Sequence, residues 1–299
     1  MTWKAIARSE KGTRHSKLNM PCQDYSNYKV INNAIVGVVA DGAGSAKHSD
    51  IGAQTAVNKV LEIINERDIQ NIDELLISDG YLPETEKHKP SAHKLSNLFN
   101  RSNKDEEGDI TVAVKKSNSE YKTKQFFVEI VKQVTTALNE QAETNDYAVS
   151  DLASTLLIAI ATPNGIAAMQ TGDGFITVRY PNSPFQLLFP PDKGEYVNET
   201  IFVTSSNALK DMRVIVQPGQ PEFVCASTDG LERLAIRMSD WTPFTPFFQP
   251  LEQYLRETNN PEESDEYLIN FLKSDRLNAR TDDDKTLFLC LYDRSNSPQ

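Results

Sequence analysis

The stretch IVGVVADGAGSAKHSDIGAQTAV, residues 35–57, decides how the rest of the chain is read. Ile35 to Ala40 is an unbroken apolar run, as a buried strand requires. It stops at Asp41-Gly42-Ala43-Gly44, and a short polar loop follows. Ser49 then stands where a helix N-cap belongs, with Asp50 in the first turn, where a negative charge meets the positive end of the helix dipole. Ala53, Val57, Val60, Leu61 and Ile64 recur at helical spacing and give that helix one apolar face. A carboxylate that ends a buried strand, with glycine after it, can meet a metal ion or substrate at a sheet edge. Glycine lets the backbone come close and can offer its carbonyl as a ligand. Taken alone, Asp-Gly is more often a plain turn.

Neighbouring residues change that balance. Tyr25–Ile31 has strand composition, and Asn32-Asn33 is a hairpin signal. Counted outward from that turn, Asp24 and Asp41 lie equally far along the two arms. A regular antiparallel hairpin would set them opposite each other, with Cα atoms roughly 4.5–5.5 Å apart. Two carboxylates that close repel unless a cation lies between them or one is protonated.

Further strands are expected at Trp3–Arg8, Ser154–Thr162, Ile166–Gln170, Phe175–Tyr180, Phe185–Phe189, Ile201–Thr204, Arg213–Gln217, Phe223–Ser227 and Thr286–Tyr292. Phe127, Ile130, Val131, Val134 and Leu138 mark a second amphipathic helix. Shorter helices are expected at Ile69–Ile77, Leu231–Ile236, Pro250–Glu257 and Glu262–Lys273, and a loop at Gly194–Thr200. Residues 83–121 are rich in Lys, Glu, Asn and Ser with little period. They read as an insertion, with a short candidate strand at Ile110–Val114.

Asp41 and Asp229 each close an apolar strand and precede glycine, and Asp283 opens one. If the last strand runs antiparallel to the other two, Asp24, Asp41, Asp229 and Asp283 converge at one sheet edge. Oxygen ligands without a Cys/His cluster suit Mg²⁺ or Mn²⁺ and not zinc.

Composition narrows the classes. The 299-residue chain has a formal net charge of -11, which opposes attraction to nucleic acid or an anionic membrane. No apolar run approaches the roughly 18–20 residues of a membrane span, and the N-terminus lacks the apolar core of a secretion signal. Cys22, Cys225 and Cys290 are far apart without C-x-x-C spacing, so free thiols and a cytoplasmic location are expected. No Cys-x5-Arg phosphate loop exists: Tyr28, Leu231 and Asn296 stand six residues after the three cysteines.

VVADGAG, TGDGF, ASTDGLERL and TDDDKTL fall in the order and spacing of the metal-dependent Ser/Thr protein phosphatases of type 2C. GTRHSKLNMPCQD and GEYVNET resemble a bacterial branch of that family. The resemblance runs from about Gly12 to Leu291. It implies an α+β fold: two antiparallel β-sheets packed face to face and flanked by helix pairs. The whole chain, 1–299, would be a single such domain, with residues 83–121 as a polar insertion. It implies two Mg²⁺ or Mn²⁺ ions per site, with Asp41 bridging them, the Gly42 carbonyl on one, and Asp229 and Asp283 on the other. Asp24 matches the second acid of an N-terminal pair whose first member, often Glu, is here Gln23. Asp173 matches a Gly-Asp motif near an additional, looser metal. Arg233 falls where many members carry a further Asp. The family's phosphate-binding arginine would fall on Asn19, leaving Arg14 or His15 to take its role. His48 is a candidate proton donor or a surface histidine.

The implied activity is hydrolysis of phosphoserine and phosphothreonine by a water activated between two metals, with Asp41, Asp229 and Asp283 as its catalytic acids. A phosphorylated protein, the target of a cognate Ser/Thr kinase, would be the substrate. The alternatives are a phosphoprotein-binding regulatory module with impaired catalysis, motivated by Gln23, and a phosphoesterase for small molecules.

Overall fold

The computed structural model describes residues 2–66, 105–190 and 200–293, and only the backbone of 105–119. The expected helix at Ile69–Ile77, the first part of the 83–121 insertion and nearly all of the Gly194–Thr200 loop lie outside the described residues.

Twelve strands are found among the described residues. They are β1 (Thr2–Glu10), β2 (Asp24–Ile31), β3 (Ala34–Asp41), β4 (Leu156–Thr162), β5 (Gly165–Thr171), β6 (Phe175–Arg179), β7 (Phe185–Leu187), β8 (Arg213–Pro218), β9 (Phe223–Ser227), β10 (Ile236–Arg237), β11 (Thr242–Pro243) and β12 (Lys285–Asp293). Ten of them form two five-stranded sheets, ordered β1-β12-β9-β6-β7 and β2-β3-β4-β5-β8, and every pairing is antiparallel. The principal helices are α1 (Thr13–Lys17), α2 (Ser49–Glu66), α3 (Asp105–Asn145), α4 (Thr245–Glu257) and α5 (Glu266–Lys273).

The layers follow from which side chains each strand presents. On β3, Ile35 and Val39 join Leu157, Ala159, Ile176, Val224 and Phe288 in the core between the sheets. Val36, Val38 and Ala40 face the other way, onto Val57, Val60 and Ile64 of α2 and Ile130 and Val134 of α3. A strand covered on both faces has no solvent side to alternate with, hence the continuous apolar run at 35–40. On the far side, Phe248, Leu251 and Leu255 of α4 and Leu268 and Leu272 of α5 cover Ile6, Cys225 and Leu289. The result is the helix–sheet–sheet–helix sandwich expected from the resemblance. Truncating a wholly buried side chain here, such as Phe288→Ala, costs about 3–5 kcal/mol.

Three expectations are corrected. Residues 110–114 belong to α3, so there is no strand in the part of the insertion that is described. The β-branched run ITVAV has strand propensity, but it is flanked by helix-forming Glu and Lys and takes their conformation. Ile201–Thr204 is a turn: Val203 N–H donates to the Ser154 carbonyl, and Phe202 N–H to Ser205 Oγ, with no ladder beyond. Finally, β12 is antiparallel to β9, but β3 lies in the other sheet. The acids therefore meet across the gap between two sheets and not along one edge. No helix among the described residues is long and apolar enough to cross a membrane.

Candidate metal centre

Asp24 and Asp41 are register partners in the β2–β3 hairpin, as the count from its turn predicts. Asn32, at that turn, has φ 54°, the left-handed backbone a tight two-residue hairpin needs. Thr155, just before β4, fixes Asp41 in place: the Asp41 N–H donates to Thr155 Oγ1 (2.9 Å) and the Asp41 carbonyl accepts from Thr155 N–H (2.7 Å). Gly42 bridges to Ser154 and donates its N–H to the Gln23 carbonyl. A Cβ at Gly42 would lie 2.6 Å from the Ser49 carbonyl oxygen, so glycine is what lets α2 start this close to the Asp41 loop. A Cβ at Gly230 would lie 2.0 Å from the Asp284 carbonyl oxygen, and the second Asp-Gly has the same steric reason.

Asp41, Asp173 and Asp229 each offer a carboxylate oxygen, and these three oxygens lie within 4.8 Å of one another. Asp41 comes from the end of β3, Asp173 from the β5–β6 turn and Asp229 from the residues after β9. Asp173, expected at a looser site, shares this group with Asp41 and Asp229. Asp24 is buried, and Thr228 Oγ1 donates to its Oδ2 at 2.7 Å. Asp283 is half-buried, with Oδ1 accepting from Asp284 N–H at 2.9 Å. Thr200 Oγ1 donates to Asp173 Oδ2 at 2.6 Å.

Asp24, Asp41 and Asp229 resist ionisation. Burial, then the charge of Asp284, pushes Asp24 up to about 8. Burial, then Asp24 and Asp229, pushes Asp41 well above the carboxylate range. Burial, then Asp173 and Asp283, raises Asp229 to about 6. Glu232, absent from the sequence reading, belongs to the same field: burial, Asp229 and Asp173 raise it to about 7. Arg233 beside it is exposed. Such a cluster is short of positive charge, and a divalent cation would restore the ordinary ionisation of its acids.

Gln23 adds an independent sign. It is 3% exposed, and its Oε1 has no hydrogen-bond partner among the described residues. A buried amide oxygen without a donor is a site for a hard cation or a water.

The sequence reading missed Asp284, which organises the surroundings. Its Oδ1 accepts from Gly12 N–H (2.6 Å), and its Oδ2 accepts from Gln23 N–H (2.6 Å) and lies 2.9 Å from His15 Nδ1. His15, on α1, is buried in this clamp, whereas Arg14 is exposed and tied by its N–H to the Asp282 carbonyl. Three adjacent acids before a buried strand were the available signal: Asp282 is exposed, Asp283 half-buried and Asp284 buried. His48 stacks on Tyr147, with ring centroids 3.8 Å apart.

A profile of the protein phosphatase 2C family matches residues 11–273. Serine/threonine-protein phosphatase 3 of Escherichia coli (strain K12) is 31% identical over 300 residues, covering 98% of this chain and 99% of that protein. Among solved structures, a serine/threonine phosphatase of S. agalactiae aligns over 97% of this chain and 100% of its own, with TM-score 0.59 and 13% identity. The serine/threonine phosphatase Stp1 of Staphylococcus aureus aligns over 98% of this chain and 96% of its own, with TM-score 0.57 and 11% identity. Likeness at such identities concerns the fold.

Proposed function

The chain belongs to the protein phosphatase 2C family of serine/threonine phosphatases, and from that premise we propose that it is a metal-dependent phosphoprotein phosphatase acting on phosphoserine and phosphothreonine. The observation that carries this reading is the Asp41–Asp173–Asp229 group, whose oxygens crowd within 4.8 Å at the mouth of the sandwich. The donor set fits two Mg²⁺ or Mn²⁺ ions: Asp24, Asp41, Asp173, Asp229 and Asp283, the Gly42 carbonyl and the unpartnered Gln23 Oε1 are all oxygens. When bound, such ions supply the positive charge that attracts a phosphate dianion and the acidity that activates a water.

The chain's own residues hold this arrangement rigid. Thr155 fixes the backbone of Asp41, Thr228 orients Asp24, and Thr200 orients Asp173. The Asp284 clamp keeps the loop before β2 against the start of β12. No protein nucleophile is required: burial and Asp24 push the Cys22 thiol up, away from its reactive thiolate. Arg14, exposed beside Asp282, is the substrate-phosphate cation in this reading, since His15 is committed to Asp284. Arg233 in place of a further acid leaves the additional metal site weak. A cytoplasmic location belongs to the same reading, as do a phosphoprotein partner and the kinase that produces it.

The test is phosphate release from phosphoserine and phosphothreonine peptides and from a small phosphate ester, with and without Mn²⁺. Metal-dependent turnover of the peptides is expected. Binding of peptide without turnover at millimolar metal would support a regulatory module instead. Turnover confined to the small ester would support a small-molecule phosphoesterase.

A further inference from the structure

Strand β2 leads away from the acidic centre along the side of the sandwich. It pairs with β3 on one edge, and among the described residues its other edge is unpaired. That open edge is the floor of a groove of about 880 Å³. Its walls are Arg8 and Ser9 of β1 with Glu262 on one side, and Asp50 and Gln54 of α2 on the other. The floor runs from Asp24 to Val30, and at about 3.4 Å per residue this is roughly 20 Å, room for a six-residue extended segment.

The backbone phase of β2 can be read from its hydrogen bonds. The Gln23 carbonyl accepts from Gly42 N–H, so odd-numbered residues turn their backbone groups toward β3. Even-numbered residues turn theirs into the groove. Tyr28 N–H agrees, since it is met by Asn27 Oδ1 at 2.8 Å, and so does the Asp24 carbonyl, met by Cys22 Sγ at 3.6 Å. Ser26 and Val30 thus present N–H and C=O to the groove. This is the template an extended chain needs to add as a strand.

Charge indicates which chain fits. Arg8 is matched by Glu262 (2.6 Å) and Asp265 (2.8 Å). Asp50 and Lys29 have no ion-pair partner among the described residues. Asp50 adjoins Ser49, which packs on Gly42, so the unmatched acid stands at the metal-centre end of the groove and Lys29 toward the other.

We propose that the open edge of β2 is the docking track for the protein substrate: an extended segment flanking the phosphoresidue adds to β2 as a further strand. Its basic side chain near the phosphoresidue faces Asp50, and an acidic one farther along faces Lys29. The proposal rests on the phosphoprotein reading above and deepens it.

Two measurements test it, both by equilibrium binding of a fluorescent extended phosphopeptide with one Lys next to the phosphoserine. The first uses the unmodified protein and a series of peptides N-methylated at single amides. Strand addition predicts affinity losses of about tenfold at every second amide and little change between them. The second compares Ser26→Pro with Ser26→Ala. Proline removes the groove-facing N–H of an edge strand and leaves the β3 ladder intact, whereas alanine keeps that N–H. The proline variant should bind about tenfold more weakly than the alanine variant, with melting showing that both are folded.

Equal losses at all amides, equal binding by the two variants, or no binding by the unmodified protein overturns the docking track. A concentration-dependent dimer that competes with the peptide assigns the edge to a second copy and also overturns it. Alternating losses in a protein that never releases phosphate would uphold the track while overturning the phosphatase reading.

Discussion

Strand β9 has acidic groups at both ends, and they behave oppositely. At its start, Glu222 sits in a closed ring with Arg179, Glu252 and Arg256. Arg179 reaches Glu222 Oε2 at 2.6 Å and Glu252 Oε2 at 2.7 Å, and Arg256 reaches Glu222 Oε1 at 2.7 Å. Burial works against ionising Glu222, but hydrogen bonds from Arg256 and the charge of Arg179 hold it below the usual carboxylate range. Just past the other end, burial and the charges of Asp173 and Asp283 raise Asp229 to about 6. One end supplies its own counter-charge, and the other leaves it to be supplied from outside. The first is structural cement; the second is an acidic cluster whose charge a cation would neutralise.

The largest effect is expected at the acidic end. Asp41→Asn or Asp229→Asn should lower metal-dependent turnover by at least about a hundredfold, because each removes a ligand charge. The melting temperature without metal should stay level or rise as carboxylate repulsion is relieved. A large loss of metal-free stability would show that these residues are structural caps.

At the other end the signs should reverse. Arg179→Ala leaves two partly buried glutamates with less compensation. The expected cost is about 2 kcal/mol, between the ~3–5 of a fully buried pair and the ~0–1 of an exposed one. Denaturant unfolding measures it. Turnover per folded molecule should persist, since the ring lies at the far end of β9.

The pH dependence separates the two ends within one protein. Asp24, Asp229 and Glu232 are raised to about 8, 6 and 7. Folded carboxyls that hold protons more tightly than the unfolded chain stabilise at low pH and lose that contribution as pH rises through their folded pKa values. Metal-free protein should therefore lose stability on going from about pH 5 to about pH 8. Glu222, lowered in the fold, contributes in the opposite sense, above the ordinary carboxylate range, and is lost on acidification. Added Mg²⁺ should flatten the first slope and leave the second. Thermal melts across pH, with and without metal, provide the check.

Gln23→Glu sharpens the comparison with the smallest change. It adds one more uncompensated charge to the acidic end. Metal affinity should rise about tenfold, and the metal-free melting temperature should fall by about 2–4 °C. Calorimetric titration with Mn²⁺ and a metal-free melt read the two effects separately.

Much of this was legible in the chain, for identifiable reasons. Asp24 and Asp41 could be placed opposite each other because a two-residue turn fixes the register of both arms. The apolar run 35–40 announced burial on both faces. What was hidden depends on distant partners. Nothing local separates Asp283 from Asp284, yet it is the carboxylate of the second that accepts from Gly12 and Gln23 N–H. Glu232 was overlooked beside Arg233, since one helical step decides which of them faces the acids. The Arg179–Glu222–Glu252–Arg256 ring joins β6, the residue before β9 and α4, and only its Glu252–Arg256 pair follows a spacing rule, i,i+4 on one helix.

The Asp284 clamp has a consequence for how the molecule comes into being. Its bonds to Gln23 and Gly12 span 261 and 272 positions of sequence. β12 lies between β1 and β9, so the first sheet cannot close before nearly the whole chain is available. Contacts this remote form late, because the intervening chain must surrender its loop entropy first. The acidic centre is therefore among the last parts to assemble. A chain halted short of β12 would carry Asp24, Asp41, Asp173 and Asp229 without the frame that brings them together. In this architecture, an assembled acidic centre reports that folding is complete.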